Sequence, residues 1–182
     1  MIKTLSGIYL YPVKSLGGIS VNQAEVTDRG LKYDRRWMLI DENNCFLSQR
    51  KIPQMALINC ELKSNELEFT HKTTNQKLAI GLREHEEENL DSIVWDDDVK
   101  AKRVCARADE WFSKILNIKC SLVYMPDESE RPVDNNYAHN NELTSLSDGY
   151  PFLIIGQSSL DDLNSKLTEK IPMKIDVISR TM

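Results

Sequence analysis

Three short segments carry residue types that could bind an anion. The first, Tyr11-Pro12-Val13-Lys14-Ser15-Leu16-Gly17-Gly18, ends an apolar stretch in a proline-fixed turn and then offers an ammonium, a hydroxyl and two permissive glycines. Backbone N–H groups around such glycines can form an anion nest, to which Lys14 adds a point charge and Ser15 a hydroxyl donor. The second, Leu31-Lys32-Tyr33-Asp34-Arg35-Arg36-Trp37, sets a carboxylate and two arginines just before an apolar run. An arginine entering such a run needs a partner, because a buried unpaired charge costs on the order of 3–5 kcal/mol. Strand alternation sends Arg35 and Arg36 to opposite faces, so one can reach a pocket while the other is solvated. The third, Leu146-Ser147-Asp148-Gly149-Tyr150-Pro151, leads through a turn into an apolar run and a helix start, a layout that cradles phosphate. Each segment also has a plain reading: a strand end with a surface lysine, a surface Asp–Arg pair, an ordinary turn. On residue pattern alone those plain readings rank ahead.

Other chemistries find little support. The histidines, His71, His85 and His139, share no metal-binding spacing, and neither a nucleophile elbow nor a P-loop occurs. Cys45, Cys60, Cys105 and Cys120 form no C-x-x-C pair and read as the reduced thiols of a cytoplasmic protein. The acidic runs Glu84-His85-Glu86-Glu87-Glu88 and Asp96-Asp97-Asp98 read as solvated loops. Lys plus Arg number 23 against 28 Asp plus Glu, a net charge of −5, which disfavours non-specific nucleic-acid binding. No stretch reaches the length of apolar residues that a membrane span needs, and no signal-peptide pattern opens the chain.

The elements that must position the three segments are mostly strands. The 182 residues are 41% hydrophobic and 28% charged, an ordinary globular balance. A chain of this length buries roughly 70% of its unfolded surface, so it needs no staple to fold. Strands are expected over residues 5–13, 19–26, 37–40, 45–49, 55–62, 67–70, 78–82, 91–95 and 99–105, broken by polar turns such as Asp28-Arg29-Gly30 and Asp41-Glu42-Asn43-Asn44. Many short strands argue for a barrel or a curled sheet. One helix is expected over residues 109–116, with Trp111, Phe112, Ile115 and Leu116 on one face. A second is expected over residues 159–168, capped at Ser158 or Ser159, with a buried strand Phe152-Leu153-Ile154-Ile155 before it. Between them Met125 to Ser147 is a long polar connection, where a module boundary is placed.

Taken together the segments are more specific than any one of them. Ile8-Tyr9-Leu10-Tyr11-Pro12-Val13-Lys14-Ser15, then Gly30-Leu31-Lys32-Tyr33-Asp34-Arg35-Arg36-Trp37-Met38-Leu39-Ile40-Asp41, then Ser48-Gln49-Arg50-Lys51-Ile52-Pro53-Gln54-Met55 resemble the N-terminal β-barrel of the MOSC family of molybdenum-cofactor proteins. Ser147-Asp148-Gly149-Tyr150-Pro151-Phe152 and Ser158-Ser159-Leu160-Asp161-Asp162-Leu163-Asn164 resemble the opening of the MOSC domain proper. The resemblance implies a strand-rich, mixed α+β chain: a barrel domain over residues 1–125, a connecting loop over 126–147, and the first strand and helix of an incomplete MOSC domain over 148–182. It implies a molybdenum cofactor (molybdopterin), with Lys14, Ser15 and Arg35 on its phosphate and pterin and Gly149 and Tyr150 contributing a loop. It further implies an oxidoreductase that reduces small N-hydroxylated compounds, with electrons from a separate redox protein. The family's Arg-Pro-Asn motif and molybdenum-ligating cysteine have no counterpart here, so the chain is expected to be inactive alone and uncertain to retain cofactor. The alternative from another class is a non-catalytic interaction or docking module with a vestigial phosphate site.

Overall fold

The computed structural model describes residues 4–138 and 140–168. The architecture is strand-rich, with eleven short strands, two α-helices and one 3-10 helix among those residues; the 3-10 helix, Pro53–Leu57, takes the first three residues of the strand expected over 55–62. The strands are β1 (Ile8–Leu10), β2 (Ile19–Val21), β3 (Val26–Thr27), β4 (Gly30–Leu31), β5 (Trp37–Ile40), β6 (Ile58–Leu62), β7 (Glu66–His71), β8 (Lys77–Gly81), β9 (Asn89–Val94), β10 (Asp97–Arg103) and β11 (Ser121–Tyr124). The helices are α1 (Ala106–Leu116) and α2 (Gln157–Lys166). A four-stranded antiparallel sheet runs β5-β11-β10-β9, a three-stranded meander runs β6-β7-β8, and β1-β2 and β3-β4 are hairpins.

The centre of the fold is β5, buried at all four positions. Trp37 and Leu39 enter a large core with β6, β7, β8 and α1, whose members include Phe69, Leu122 and Phe112. Met38 and Ile40 point the other way, into a smaller core with Val94, Val99, Val123, Met125 and Leu146. A strand covered on both faces reads as a continuous apolar run rather than an alternating one, which is why Trp37-Met38-Leu39-Ile40 carries no polar residue. β11 sits beside it with Leu122 in the first core and Val123 in the second. That strand has no counterpart among the sequence expectations. The segment 45–49 makes single bridges to Ile40 and Ile93 instead of a strand.

In α1, Phe112 and Leu116 are buried while Trp111 and Ile115 pack against the core more loosely. Asp109, on the same helix, is buried and accepts the backbone N–H of Leu122 at 2.8 Å, which ties the helix to β11. The helix ends at Asn117 in the left-handed conformation, φ 54°, where a short polar side chain is tolerated.

The connection over residues 126–147 is no free linker. Leu146 closes the smaller core, and Ser129, Arg131, Val133, Thr144, Ser145 and Ser147 are buried. A backbone bond from Val133 N–H to Glu142 O (2.8 Å) folds it on itself, and one from Leu146 N–H to Arg35 O (3.0 Å) ties its end to the turn just before β5. The segment Phe152–Ile155, expected as a buried strand, has no strand structure, and Ile154 is 92% exposed. No strand among the described residues pairs with it; without ladder partners an apolar run does not become a strand. The helix after it starts earlier than expected, with Gly156 at its N-cap, and neither Ser158 nor Ser159 caps it. Residues 169–182 of the expected second unit lie outside the described residues.

The two-faced burial of β5 sets an expectation. Leu39→Ala should lower the free energy of unfolding by about 2–5 kcal/mol, the usual cost of a cavity at such a site. Ile154→Ala should change it by less than about 0.5 kcal/mol. Denaturant unfolding of the two variants checks both.

Candidate functional site

The site is built on the exit of β1. After Leu10 the chain turns at Pro12, and Val13 bridges Trp37 in parallel while the Lys14 N–H donates to Trp37 O at 2.8 Å. Ser15 takes φ 65°, a left-handed bend that carries the chain away from the sheet. Gly18 is required here, because a Cβ would run into the Tyr11 ring. The second segment arrives through a similar kink. Tyr33 (φ 69°) and Arg35 (φ 48°) both adopt left-handed backbone, and the Arg35 N–H donates to Tyr11 O at 2.7 Å. Asp34, buried between the two segments, accepts the Tyr11 N–H at 2.7 Å and pairs with the Arg35 guanidinium. Burial pushes the Asp34 carboxyl up from its ordinary range, against the pull of Arg35 and the Tyr11 amide.

The third segment closes over these two from the other end of the chain. Arg131 holds it: its guanidinium donates to the carbonyls of Ser145 (2.9 Å), Ser147 (2.6 Å) and Asp148 (3.0 Å), with Asp97 as counter-ion at 2.7 Å. On the far side, Gly30 (φ 114°) lets the β3-β4 hairpin approach Pro151, where a Cβ would sit 3.0 Å from Pro151 O. The Ser147 hydroxyl donates to Tyr150 O at 2.9 Å and completes the turn.

The result is a cleft of about 180 Å³. Lys14, Ser15, Arg35, Gly149 and Tyr150, the five residues singled out from the sequence, all line it. Tyr11, Ser147 and Asp148 line it too. Arg35 stacks on the Tyr11 ring, 4.9 Å from its centroid, whereas Arg36 turns away to Asp127 (2.8 Å) and the Met125 carbonyl. The two arginines part, but by the left-handed turn at Arg35 ahead of β5 and not by strand alternation, and neither is simply solvated.

Lys14 is the electrostatic focus. It is 5% exposed, and its ammonium pairs with Asp148 at 2.6 Å across 134 positions of sequence. The ammonium also faces the rings of Phe46 (5.1 Å) and Trp95 (5.8 Å). Burial lowers its pKa from 10.5 to about 8; Asp148 opposes the shift, and Arg131 and Arg35 add to it. The ammonium, the guanidinium in the cleft and the one behind it are each paired with a carboxylate, of Asp148, Asp34 and Asp97 respectively.

None of the four cysteines lines this cleft. Cys60 and Cys120 are buried thiols pushed up to about 12 and about 11. Among the described residues no cluster of three or more His, Cys, Asp or Glu is placed to hold a metal. Asp148 and Arg131 were not among the expected site residues. Asp148 stood inside the third segment as quoted, so a buried lysine's need for a counter-ion pointed toward it. Arg131 lay in the polar connection with no local sign of its role. Asp97, in the second acidic run, is exposed as expected, but it opens β10 and pairs with Arg131.

The strand-rich fold carries a cleft lined by Lys14 and Arg35 at the exit of its first strand. Residues 2–119 match the MOSC N-terminal beta barrel domain, and the chain belongs to that family. It is 28% identical over 179 residues to mitochondrial amidoxime-reducing component 1 of Mus musculus, covering 93% of this chain and 52% of that protein. It is also 28% identical over 173 residues to a molybdenum cofactor sulfurase of Oryza sativa, covering 90% of this chain and 21% of that protein. The chain thus spans about half the length of the first relative and about a fifth of the second. Among solved structures, the solution structure of a Bordetella bronchiseptica protein shares the fold, with TM-score 0.50 and 18% identity over 65% of this chain and 88% of that one.

The depressed pKa of Lys14 fixes a pH dependence. The folded value, about 8, lies below the ordinary 10.5, so between them the unfolded chain holds the proton that the folded chain has released. Stability therefore rises with pH across that window. In Lys14→Met this rise should be lost, as measured by denaturant unfolding at a series of alkaline pH values.

Proposed function

We propose that the cleft holds the phosphate and pterin of a molybdenum cofactor, with Lys14, Ser15 and Arg35 as donors and Gly149 and Tyr150 as the covering loop. The observation that carries this is the convergence of those five residues on one cleft from three distant parts of the chain. The donor set fits the anionic end of the group: an ammonium, a guanidinium and a hydroxyl give charge-assisted bonds worth about 1.5–3 kcal/mol each. It offers no thiolate to the metal, since no cysteine lines the cleft. Both kinds of relative carry molybdenum-cofactor or amidoxime-reducing names, which supports the same ligand.

In this reading the residues bind and orient. Lys14 leaves Asp148 for the phosphate, and its pKa rises because a phosphate dianion replaces a singly charged carboxylate. Arg35, fixed by Asp34 and stacked on Tyr11, presents its remaining N–H groups to the cleft. Ser15 offers its hydroxyl, whereas the N–H groups of Lys14, Leu16 and Gly17 are already spent on the carbonyls of Trp37, Val13 and Ile58, so the donors here are side chains and not the backbone nest expected around the glycines. The bound cofactor supplies the metal for two-electron redox chemistry. The chain is then the cofactor-side barrel of a molybdenum-dependent reductase of N-hydroxylated compounds, dependent on a separate electron donor and inactive without further residues that ligate the metal. The division into a barrel over residues 1–125, a connection over 126–147 and the opening of a second domain from 148 belongs to the same proposal. So does a cytoplasmic location, supported by cysteines that are all free. No helix among the described residues is long and apolar enough to cross a membrane.

A second reading has one observation in its favour. Phe152, Leu153 and Ile154 form an exposed apolar stretch at the cleft's rim, 49%, 43% and 92% accessible, as a docking module would present.

The test is molybdenum and pterin content of the chain purified from a host that makes the cofactor. Bound cofactor in the wild type and its loss in Lys14→Ala/Arg35→Ala, with folding intact by circular dichroism, is the expected result. Equal content in both proteins would remove these residues from the site, and a wild type without cofactor would favour the docking module.

A further inference from the structure

A second cleft, of about 190 Å³, adjoins the first. The two share Lys14, Ser15 and Asp148, so the Lys14–Asp148 ion pair is the partition between them. In the second cleft the ammonium meets an apolar wall of Phe46, Trp95, Pro53 and Ala56. Its Nζ lies 5.1 Å from the Phe46 ring centroid and 5.8 Å from that of Trp95, and the two rings tilt against each other at 4.7 Å. Asp148 Oδ1, 2.6 Å from Nζ, also accepts the Trp95 indole N–H at 3.1 Å. An amine, a carboxylate that can carry its proton and an aromatic wall therefore meet at one point.

The backbone points to the same wall. Val94 pairs with Asp97, so Trp95 and Asp96 form the two-residue connection of the β9-β10 hairpin. Trp95 is its first residue and takes φ 58°, a position where glycine is the normal choice. A bulky residue held in left-handed backbone next to a cleft is the kind of strain that functional sites retain.

The charged groups that face Lys14 are Asp148, Arg131 and Arg35, with Arg50 on the lining of the second cleft. Burial outweighs Asp148 and holds the Lys14 pKa at about 8 in place of 10.5. At pH 8 about half of the Lys14 side chains are then neutral amines, against roughly one in 300 for an ordinary lysine. Desolvation in an apolar pocket is one way a lysine becomes a nucleophile toward carbonyl compounds.

We propose that the second cleft is a carbonyl-binding site in which Lys14 forms an imine with a small aromatic aldehyde. The ring packs on Phe46 and Trp95 and sets the carbonyl carbon against Nζ. Asp148 takes a proton from the ammonium, and the Nζ lone pair adds to the carbonyl carbon. A proton passes from nitrogen to oxygen to give the carbinolamine, and Asp148 returns its proton to the hydroxyl, which leaves as water. Ammonium plus aldehyde thus becomes protonated imine plus water, and the iminium cation keeps Asp148 as its counter-ion. The volume is below the roughly 300–1,000 Å³ of drug-sized pockets, which sets the ligand at one ring with a short substituent. The proposal rests on the second cleft and goes beyond the cofactor reading of the first.

The probe is benzaldehyde, added at pH 8 to the full chain made without cofactor and trapped with cyanoborohydride, with acetaldehyde in parallel. Peptide mapping by mass spectrometry reads which lysines carry the reduced adduct. At low conversion Lys14 should be labelled by benzaldehyde at least about tenfold faster than any other lysine, the direction set by its larger neutral fraction. Lys102 is the internal control: it is 9% exposed and paired with Glu128, but it lines neither cleft. Trp95→Gly suits the hairpin backbone and removes the ring, so it should lower the benzaldehyde-to-acetaldehyde ratio at Lys14 about fivefold, the worth of one aromatic contact. Labelling spread evenly over the lysines would overturn the proposal, as would Lys102 reacting as fast as Lys14, or a ratio that Trp95→Gly leaves unchanged. The label is scored on cofactor-free chain and the cofactor reading on metal and pterin content, so the two fail separately.

Discussion

Lys14 carries a charge into the interior, and the structure around the cleft answers the cost of that burial. An ammonium that is 5% exposed needs an anion within reach. The chain supplies Asp148, 134 residues away. Asp148 can be there only because Arg131 binds the three carbonyls of its loop, and Arg131 is itself buried and paired with Asp97 at the start of β10. One buried charge thus commits the exit of β1, the start of β10, the long connection and the rim loop to a common arrangement. The pair also separates two clefts, so any ligand that draws Lys14 from Asp148 changes both.

This electrostatic frame stands on an apolar one. The strand β5 is buried on two faces, which holds Val13 and the Lys14 amide against Trp37 and fixes where the lysine emerges. Leu146, immediately before the rim loop, closes the smaller core behind the same strand. Binding residues that arrive from three parts of the chain are set by packing to one side of a single strand. The left-handed residues Ser15, Tyr33 and Arg35 aim them, each a local strain that the surrounding pairing holds in place.

Much of this was legible in the residues. The apolar run Trp37–Ile40, the β6-β7-β8 meander and the helix over Trp111 and Phe112 show in periodicity and turn punctuation. The five candidate site residues were legible as a set through family resemblance, while each segment alone read more simply as surface chemistry. What was not legible depends on long-range partners. Ser121–Tyr124 is only four residues and becomes a strand because β5 and β10 flank it. Phe152–Ile155 has the composition of a strand and no ladder partner among the described residues. Arg131 sits among polar residues that suggest a solvated loop, and only the folded chain brings three carbonyls to it.

The account stands or falls on whether the buried lysine exchanges its carboxylate for an anionic ligand. The most direct measurement is the Nζ resonance of Lys14 in ¹⁵N-lysine-labelled protein, titrated with pH in the absence and presence of inorganic pyrophosphate. The account predicts a pKa of about 8 without ligand and a clear upward shift with it, together with a change at the Asp148 carboxylate. A value that pyrophosphate leaves unmoved, with the Lys14–Asp148 pair intact, would contradict it.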